Sequence, residues 1–582
     1  MLVVLTRTTP HKKKVYEKGY EKMQNEKLKP KLFSVMKNYT KAQFIKDIIS
    51  GIIVAIIALP LSIALALASG VNPEQGLYTA IVAGFIVALL GGSRVQIAGP
   101  TAAFATIVAG IVATKGMDGL VIATVMAGII LVIMGLCRFG TLIKYIPGTI
   151  TTGFTFGIAV TIIIGQLKDF MGLTFSKSAV ETMDKMAQVF KSISTINFQA
   201  LLIGIVALAI LIFWPKKLEK IPASLIAVIV CALAVNLLDM KVNTIGDLYS
   251  ISSAPPKFTI PAFSFTKIKE LIPDAFTIAI LAAIESLLSC VVSDGMIGSK
   301  HRSNMELIAQ GAGNIGSALF GGIPATGAIA RTAANIKNGG RTPIAGIVHS
   351  IVVLLILILL MPYASLIPMP CIAAILFMVA YNMSGWRAVA NTIKTAPKSD
   401  ILVLLVTLTF TVVFDLVVAI GIGFVLAPLL FMKRMADVTN IHGWVYCDDE
   451  SDEENDPDNI DLKREPKNTK VFEINGPMFF AVSDKFMYVV MDTSIDVLCI
   501  RMRNVPAMDA TGIDALNKVI KTCERHHISV VFSHVNEQPM HAMEKAGIVE
   551  RVGADNFCDH IDTALVRAEE LQNRIESVKI SK

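Results

Sequence analysis

The sequence predicts a polytopic α-helical membrane protein, about 14 spans forming a seven-plus-seven inverted repeat, followed by a soluble α/β domain. Three observations predict it. The chain is 53% hydrophobic and only 17% charged, with a mean hydropathy of +0.61, whereas about 25% charge is usual in soluble proteins. Its charge gathers at the two ends and in short loops, which leaves the middle as a series of apolar runs of spanning length. Beyond Arg434 the pattern becomes short strand-like runs alternating with helices, which means a mostly parallel sheet covered by helices.

Residues 1–46 read as a basic arm, with twelve Lys or Arg from Arg7 to Lys46 and no signal-peptide core. Residues 47–436 read as the membrane domain. Its segments are about 48–68, 77–91, 98–114, 118–136, 147–166, 199–214, 222–239, 273–293, 307–321, 325–337, 343–361, 366–382, 401–414 and 416–432. Residues 437–468 form an acidic linker, with nine acids between Asp448 and Asp461. Residues 469–582 form the soluble domain, with strands at 471–475, 495–502 and 528–535 and helices near 511–526, 539–546 and 562–576.

Loop charge supports this count. With the basic arm inside, the inner connections carry Arg94, Arg138, Lys144, Lys216, Lys217, Lys220, Lys300, Arg302, Lys337, Arg341, Arg387, Lys394 and Lys398, whereas the short outer ones carry only Lys115. Both termini are then cytoplasmic, in a cell-membrane protein. The net charge of +7 thus reports topology and gives no reason to expect nucleic acid. The eight cysteines show no Cys-x-x-Cys pair and no zinc spacing, so neither disulfide framework, metal nor cofactor is expected.

An odd number of spans per half sets the halves in opposite orientation, and the third and tenth segments then match. Gly99-Pro100-Thr101-Ala102-Ala103 opens one and Pro324-Ala325-Thr326-Gly327-Ala328 the other. Facing helix N-termini within the membrane would present N–H groups and positive dipole ends to an anion. Small-residue helix packing is the structural alternative. Glu285 and Arg331 lie in apolar spans near this motif, where ionisable groups face a partner or a cavity. One reading is a structural ion pair; the other has Glu285 taking up a proton or cation while Arg331 makes the cavity positive, and the two are compatible. His349 is expected to be a satisfied core histidine and Asp415 to lie at a span end. No phosphate-binding loop, phosphorylation motif or catalytic triad pattern is present, which points to secondary transport and away from an enzyme.

These residues resemble the sulfate permease (SulP) family. Ala58–Ala64, Gly70–Thr79 and Gly91-Gly92-Ser93-Arg94 with Gly99-Pro100-Thr101 resemble its first signature, and Phe320–Gly327 through Arg341-Thr342-Pro343 its tenth-span region. Met508-Asp509-Ala510-Thr511-Gly512 resembles the turn before the main helix of a STAS domain. The resemblance spans about residues 35–570. It implies core and gate domains, a homodimer, a cytoplasmic STAS domain open to a protein partner, and transport of sulfate, dicarboxylates such as fumarate or succinate, bicarbonate or chloride. By motif position it implies anion binding at Thr101, Ala102, Gly327, Ala328 and Arg331, a coupling-ion site at Glu285 and Ser289, and a regulatory phosphoacceptor at Thr511. Sodium-coupled bicarbonate members carry Asp at the position of Glu285 and Thr at that of Ile329, so the departure here favours a proton over sodium. The runs Ile323–Arg331 and Met378–Ser384 look most like bacterial members proposed to carry dicarboxylates. Three readings follow. A proton-coupled symporter needs Glu285 to titrate, an exchanger or channel does not, and a sensor acting through its soluble domain needs no matched half-helices.

Overall fold

A computed structural model describes residues 28–141, 147–177, 179, 181–215, 222–261, 264–414, 416–438, 440–443, 466–479 and 495–580. Much of the basic arm and of the acidic linker, together with Lys144, Lys216, Lys217, Lys220, Asp415 and Cys447, lies outside the described residues. The chain divides into two compact units, Met1–Phe424 and Val425–Lys582.

The first unit is helical. Helix α1 (Lys41–Ala68) starts at Thr40, whose hydroxyl accepts from the Gln43 N–H, and carries Pro60 in its interior. Helix α2 (Pro73–Leu90) opens on a reciprocal Asn72–Gln75 capping box with proline in its first turn, a pairing that satisfies otherwise orphaned N–H groups. The two-residue strand β1 (Ala98–Gly99) precedes α3 (Ala102–Leu136), which breaks at Gly116 (φ 69°) into the two predicted segments. There follow α4 (Gly148–Met171), a loop helix α5 (Thr182–Lys191) not anticipated from the sequence, α6 (Phe198–Phe213) and α7 (Ala223–Leu237).

The second half runs α8 (Phe265–Ile297), α9 (Ser303–Leu319), β2 (Thr326–Gly327), α10 (Ile329–Lys337), α11 (Ile344–Leu360), α12 (Met369–Ser384), α13 (Trp386–Thr395), α14 (Lys398–Val413) and α15 (Leu416–Val438). Every predicted segment thus has a helical counterpart. Apart from the short helices Lys31–Val35 and Ile245–Leu248, α5 and α13 are the additional helices, each with one buried residue, Val189 and Val389. Among the described residues, seven helices are long and apolar enough to cross a membrane by themselves. Apart from α15 (23 residues), the others are the shorter pieces of a broken-helix membrane fold.

Two packing groups arise within this unit. Helix α3 packs on α8 and α9, and α1 and α2 pack on α11, enclosing β1 and β2. Separately, α4 packs on α12 and α14, while α6 packs on α7 and α12. The second group buries an apolar cluster that includes Phe170, Ile203, Cys231 and Ile375.

The second unit is a five-stranded sheet in the order β3 (Asn440–Gly443), β4 (Thr469–Asn475), β5 (Val497–Asn504), β6 (Ser529–Ser533), β7 (Phe557–Cys558). All neighbours are parallel except β3 with β4. Alternation along β5 explains the two-faced core. Leu498 and Ile500 join Leu516, Ile520 and Phe532 under α16 (Ala510–Arg525), while Val497 and Cys499 join Ile561 and Ala564 of α18 (Ile561–Ile580). Helix α17 (Glu537–Lys545) adds Met543 to the first face. Strand β3 precedes the acidic block, so the sheet takes in residues that the sequence reading assigned to the linker.

Candidate functional site

Strands β1 and β2 are the only regular pairing between the two halves of the first unit among the described residues. Ala98 stands opposite Gly327 and Gly99 opposite Thr326, antiparallel. The Ala328 N–H also donates to the Ile97 carbonyl at 2.9 Å. Helices α3 and α10 start immediately after this crossing, with Thr101 and Ala328 as N-caps. Neither N-cap residue accepts from its own helix through a side chain. Two helix N-termini therefore leave the same small sheet with N–H groups not closed by a side-chain cap, the geometry that suits an anion.

Buried side chains lock the crossing. Gln96 donates to the Ser286 carbonyl at 3.1 Å and accepts from the Ser289 hydroxyl at 2.8 Å. A Cβ on Gly327 would overlap the Gln96 amide, so glycine is needed where the two approach. Thr326 donates to the Ala282 carbonyl at 3.0 Å, and Thr332 accepts from the Ile97 N–H at 3.1 Å. Asn314 holds Ala325 on both sides, accepting from its N–H at 2.9 Å and donating to its carbonyl at 2.8 Å. Ala102 and Ala328 are buried, 4% and 7% exposed.

Glu285 of α8 reaches this crossing. The Thr101 hydroxyl donates to its Oε2 at 2.8 Å. Ser289, one turn later, is bonded to Gln96. Ile329, the first residue of α10, is 44% exposed and supplies no hydroxyl there.

The ion pair between Glu285 and Arg331 expected from the sequence does not form. Arg331 is 1% exposed, and its Nη2 donates to the Ser62 hydroxyl of α1 at 3.2 Å and to the Pro100 carbonyl at 3.3 Å. Its Nη1 lies where a Cβ on Gly99 would stand, and Nη1 and Nε have no hydrogen-bond partner among the described residues. The side chain thus runs against β1 at Gly99 and Pro100, while Glu285 is held by Thr101. An unpaired buried cation is strongly disfavoured. Its field favours negative charge at the crossing. His349 differs too: it is fully buried, and neither ring nitrogen has a partner among the described residues.

The sequence reading missed Gln96 and Asn314, and gave Thr326 no role of its own within the motif it quoted. Their signal was weak, single polar residues beside Gly/Pro breaks. Thr511 of the second unit lies in the first turn of α16 and is half-buried. The cap is Asp509, whose carboxylate accepts from the Gly512 N–H at 2.8 Å.

Residues 44–407 match the model of the sulfate permease family and residues 459–564 that of the STAS domain. A putative sulfate transporter, YvdB of Bacillus subtilis (strain 168), is 38% identical over 531 residues, 90% of this chain and 98% of that protein. The bicarbonate transporter BicA of Picosynechococcus sp. is 30% identical over 544 residues, covering 90% and 94%. Among solved structures, the transmembrane domain of a cyanobacterial bicarbonate transporter BicA superposes with a TM-score of 0.59 at 28% identity, over 66% of this chain and 99% of that one. The overall structure of SLC26A9 superposes with a TM-score of 0.83, over 97% and 96% of the two chains, and its 19% identity makes this a likeness of fold.

Proposed function

The chain belongs to the sulfate permease family of multi-pass membrane transporters, and on that premise we propose that it is a secondary active carrier of small anions, coupled to protons and working by alternating access. The single observation that carries this reading is the β1–β2 crossing, from which the N-termini of α3 and α10 emerge beside a glutamate held by Thr101. The anion binds at Thr101, Ala102, Gly327 and Ala328, held by the N–H groups of the first turns of α3 and α10, and by the Thr101 hydroxyl once protonation of Glu285 frees it to donate. Arg331 contributes its positive field from beside β1. Sulfate, bicarbonate or a short dicarboxylate suits such a site, because its N–H donors recognise oxygen acceptors of any of these.

Glu285 carries the coupled proton, with Ser289 ordering the next turn of α8 through Gln96. Anion entry puts negative charge beside the carboxylate and favours its protonation. Protonation removes a repulsion and favours the anion, so the two events are reciprocally linked. The exposed Ile329 in place of a hydroxyl residue leaves fewer oxygen ligands for sodium, which supports the proton. The carrier resides in the cell membrane as a homodimer with both termini cytoplasmic, and the soluble unit serves regulation or partner binding.

Purified protein in liposomes, offered labelled sulfate, fumarate and bicarbonate under imposed proton or sodium gradients, tests the reading. Uphill uptake of one anion under an inward proton gradient is expected. Uptake driven only by sodium, or only by counter-anion exchange, would overturn proton coupling.

A further inference from the structure

The segment before α1, together with the first two turns of α1, forms a strap across one end of the helix group that holds the β1–β2 crossing. The Arg302 guanidinium donates to the Lys29 carbonyl at 2.6 Å and to the Ser34 hydroxyl at 3.0 Å. The Lys31 N–H donates to the Gly91 carbonyl at 2.9 Å, and its ammonium to the Lys300 carbonyl at 2.7 Å. Further along, Gln43 donates to the Gly339 carbonyl at 3.1 Å. The fully buried Asp47 accepts from Tyr39, Gln43, the Arg341 N–H and the Thr342 hydroxyl at 2.6–2.9 Å. The strap therefore binds the α2–β1, α8–α9 and α10–α11 connections at once. These are the loops that lead into and out of the two half-helices.

Its outward side has a different chemistry. Residues 28–46 contain five lysines and no acid. Lys29, Lys37, Lys41 and Lys46 are exposed. Interleaved with them are exposed apolar side chains, among them Phe33 at 55%, Met36 at 44%, Phe44 at 45% and Ile45 at 58%. Water disfavours such apolar exposure, and α1 continues directly from this segment into a membrane span. A surface of lysines and large apolar residues at the start of a span matches the headgroup region of an anionic leaflet, with apolar groups in the acyl boundary and ammonium groups on phosphates.

We propose that residues 28–46 form a docking surface for anionic phospholipid, so that headgroup phosphates hold the strap and, through it, the loops that position the anion site. It rests on the inner placement of the amino-terminal segment given above, and not on the identity of the transported anion.

The test uses full-length protein in detergent with phosphatidylglycerol or phosphatidylcholine added, read by thermal unfolding, and needs no transport assay. Phosphatidylglycerol should raise the melting temperature above the value in phosphatidylcholine. The triple variant Lys29→Gln, Lys37→Gln, Lys41→Gln spares the bonded Lys31. It should need on the order of a hundredfold more phosphatidylglycerol for the same shift, since each lysine near such a surface contributes about fivefold. Phe33→Ser with Met36→Ser should weaken the shift while leaving the charge intact. Equal stabilisation of wild type by the two lipids, or a triple variant with an unchanged phosphatidylglycerol response, would overturn the proposal. So would loss of the response only on removal of the soluble unit, which would make a protein surface the true occupant.

Discussion

Two helix beginnings in this molecule are built in opposite ways. At α16 in the soluble unit, Asp509 closes the N-terminus by accepting from the Gly512 N–H, so the helix satisfies itself. At α3 and α10 no side chain does this, and the one hydroxyl available, on Thr101, is turned to Glu285. In a membrane unit, where water is scarce, N–H groups without a side-chain cap carry a cost that persists only when a ligand or function offsets it. The difference separates a helix start that serves the fold from two that, on the proposed reading, serve an anion.

The sharpest way to break this comparison is at the charge beside β1. At an effective dielectric near 20, a charge about 6 Å away contributes about 3 kcal/mol, on the order of a hundredfold in affinity. Arg331→Met should weaken anion binding by about that factor. It should leave thermal stability equal or higher, because an unpaired buried charge is removed. Calorimetric titration and a melting curve read the two effects separately. A variant that loses stability but keeps its affinity would make Arg331 a purely structural residue.

A smaller effect is expected at the crossing. Gly327→Ala forces the Gln96 amide from its bonds to Ser286 and Ser289, at about 1–3 kcal/mol. Anion affinity should fall on the order of tenfold in a chain that still inserts and folds. Unchanged affinity would show that the Gln96 lock does not position the site.

At the capped helix the prediction reverses. Asp509→Ala should cost about 1 kcal/mol of stability in the isolated 440–582 segment, and anion binding by the full chain should not change. Denaturant unfolding and titration would check both.

The smallest effect concerns acid stability of that unit. The Arg551 guanidinium donates to Glu524, holding its carboxyl below the usual range. A lowered folded-state pKa adds stability above the unfolded value, near pH ~4.3, that is lost as pH falls through the folded value. Glu524→Gln should flatten that part of the stability profile, slightly, since the pair is solvent-exposed. An unchanged profile would remove the pair from the account.

Much of this fold was legible because lipid imposes a simple rule, and apolar length revealed the fourteen segments. The matched Gly/Pro breaks revealed which two were half-helices. Their pairing as β1 and β2 was not legible, because two-residue strands distant in sequence leave no periodicity. The path of Arg331 was also hidden, since its partner Ser62 sits beside Pro60 in another span and reads as an ordinary small residue. Local pattern missed β3 because the acidic block separates it from β4. Glu285 was legible for the opposite reason: a lone acid in an apolar run stands out.

The central claim is that this acid couples the anion to the proton. Glu285→Gln keeps the shape and mimics the protonated carboxyl. Proteoliposomes carrying it should bind the anion and exchange it passively, yet fail to accumulate it under an inward proton gradient that drives the wild type. Uphill accumulation by Glu285→Gln with wild-type pH dependence would contradict the account and leave Glu285 a structural partner of Thr101.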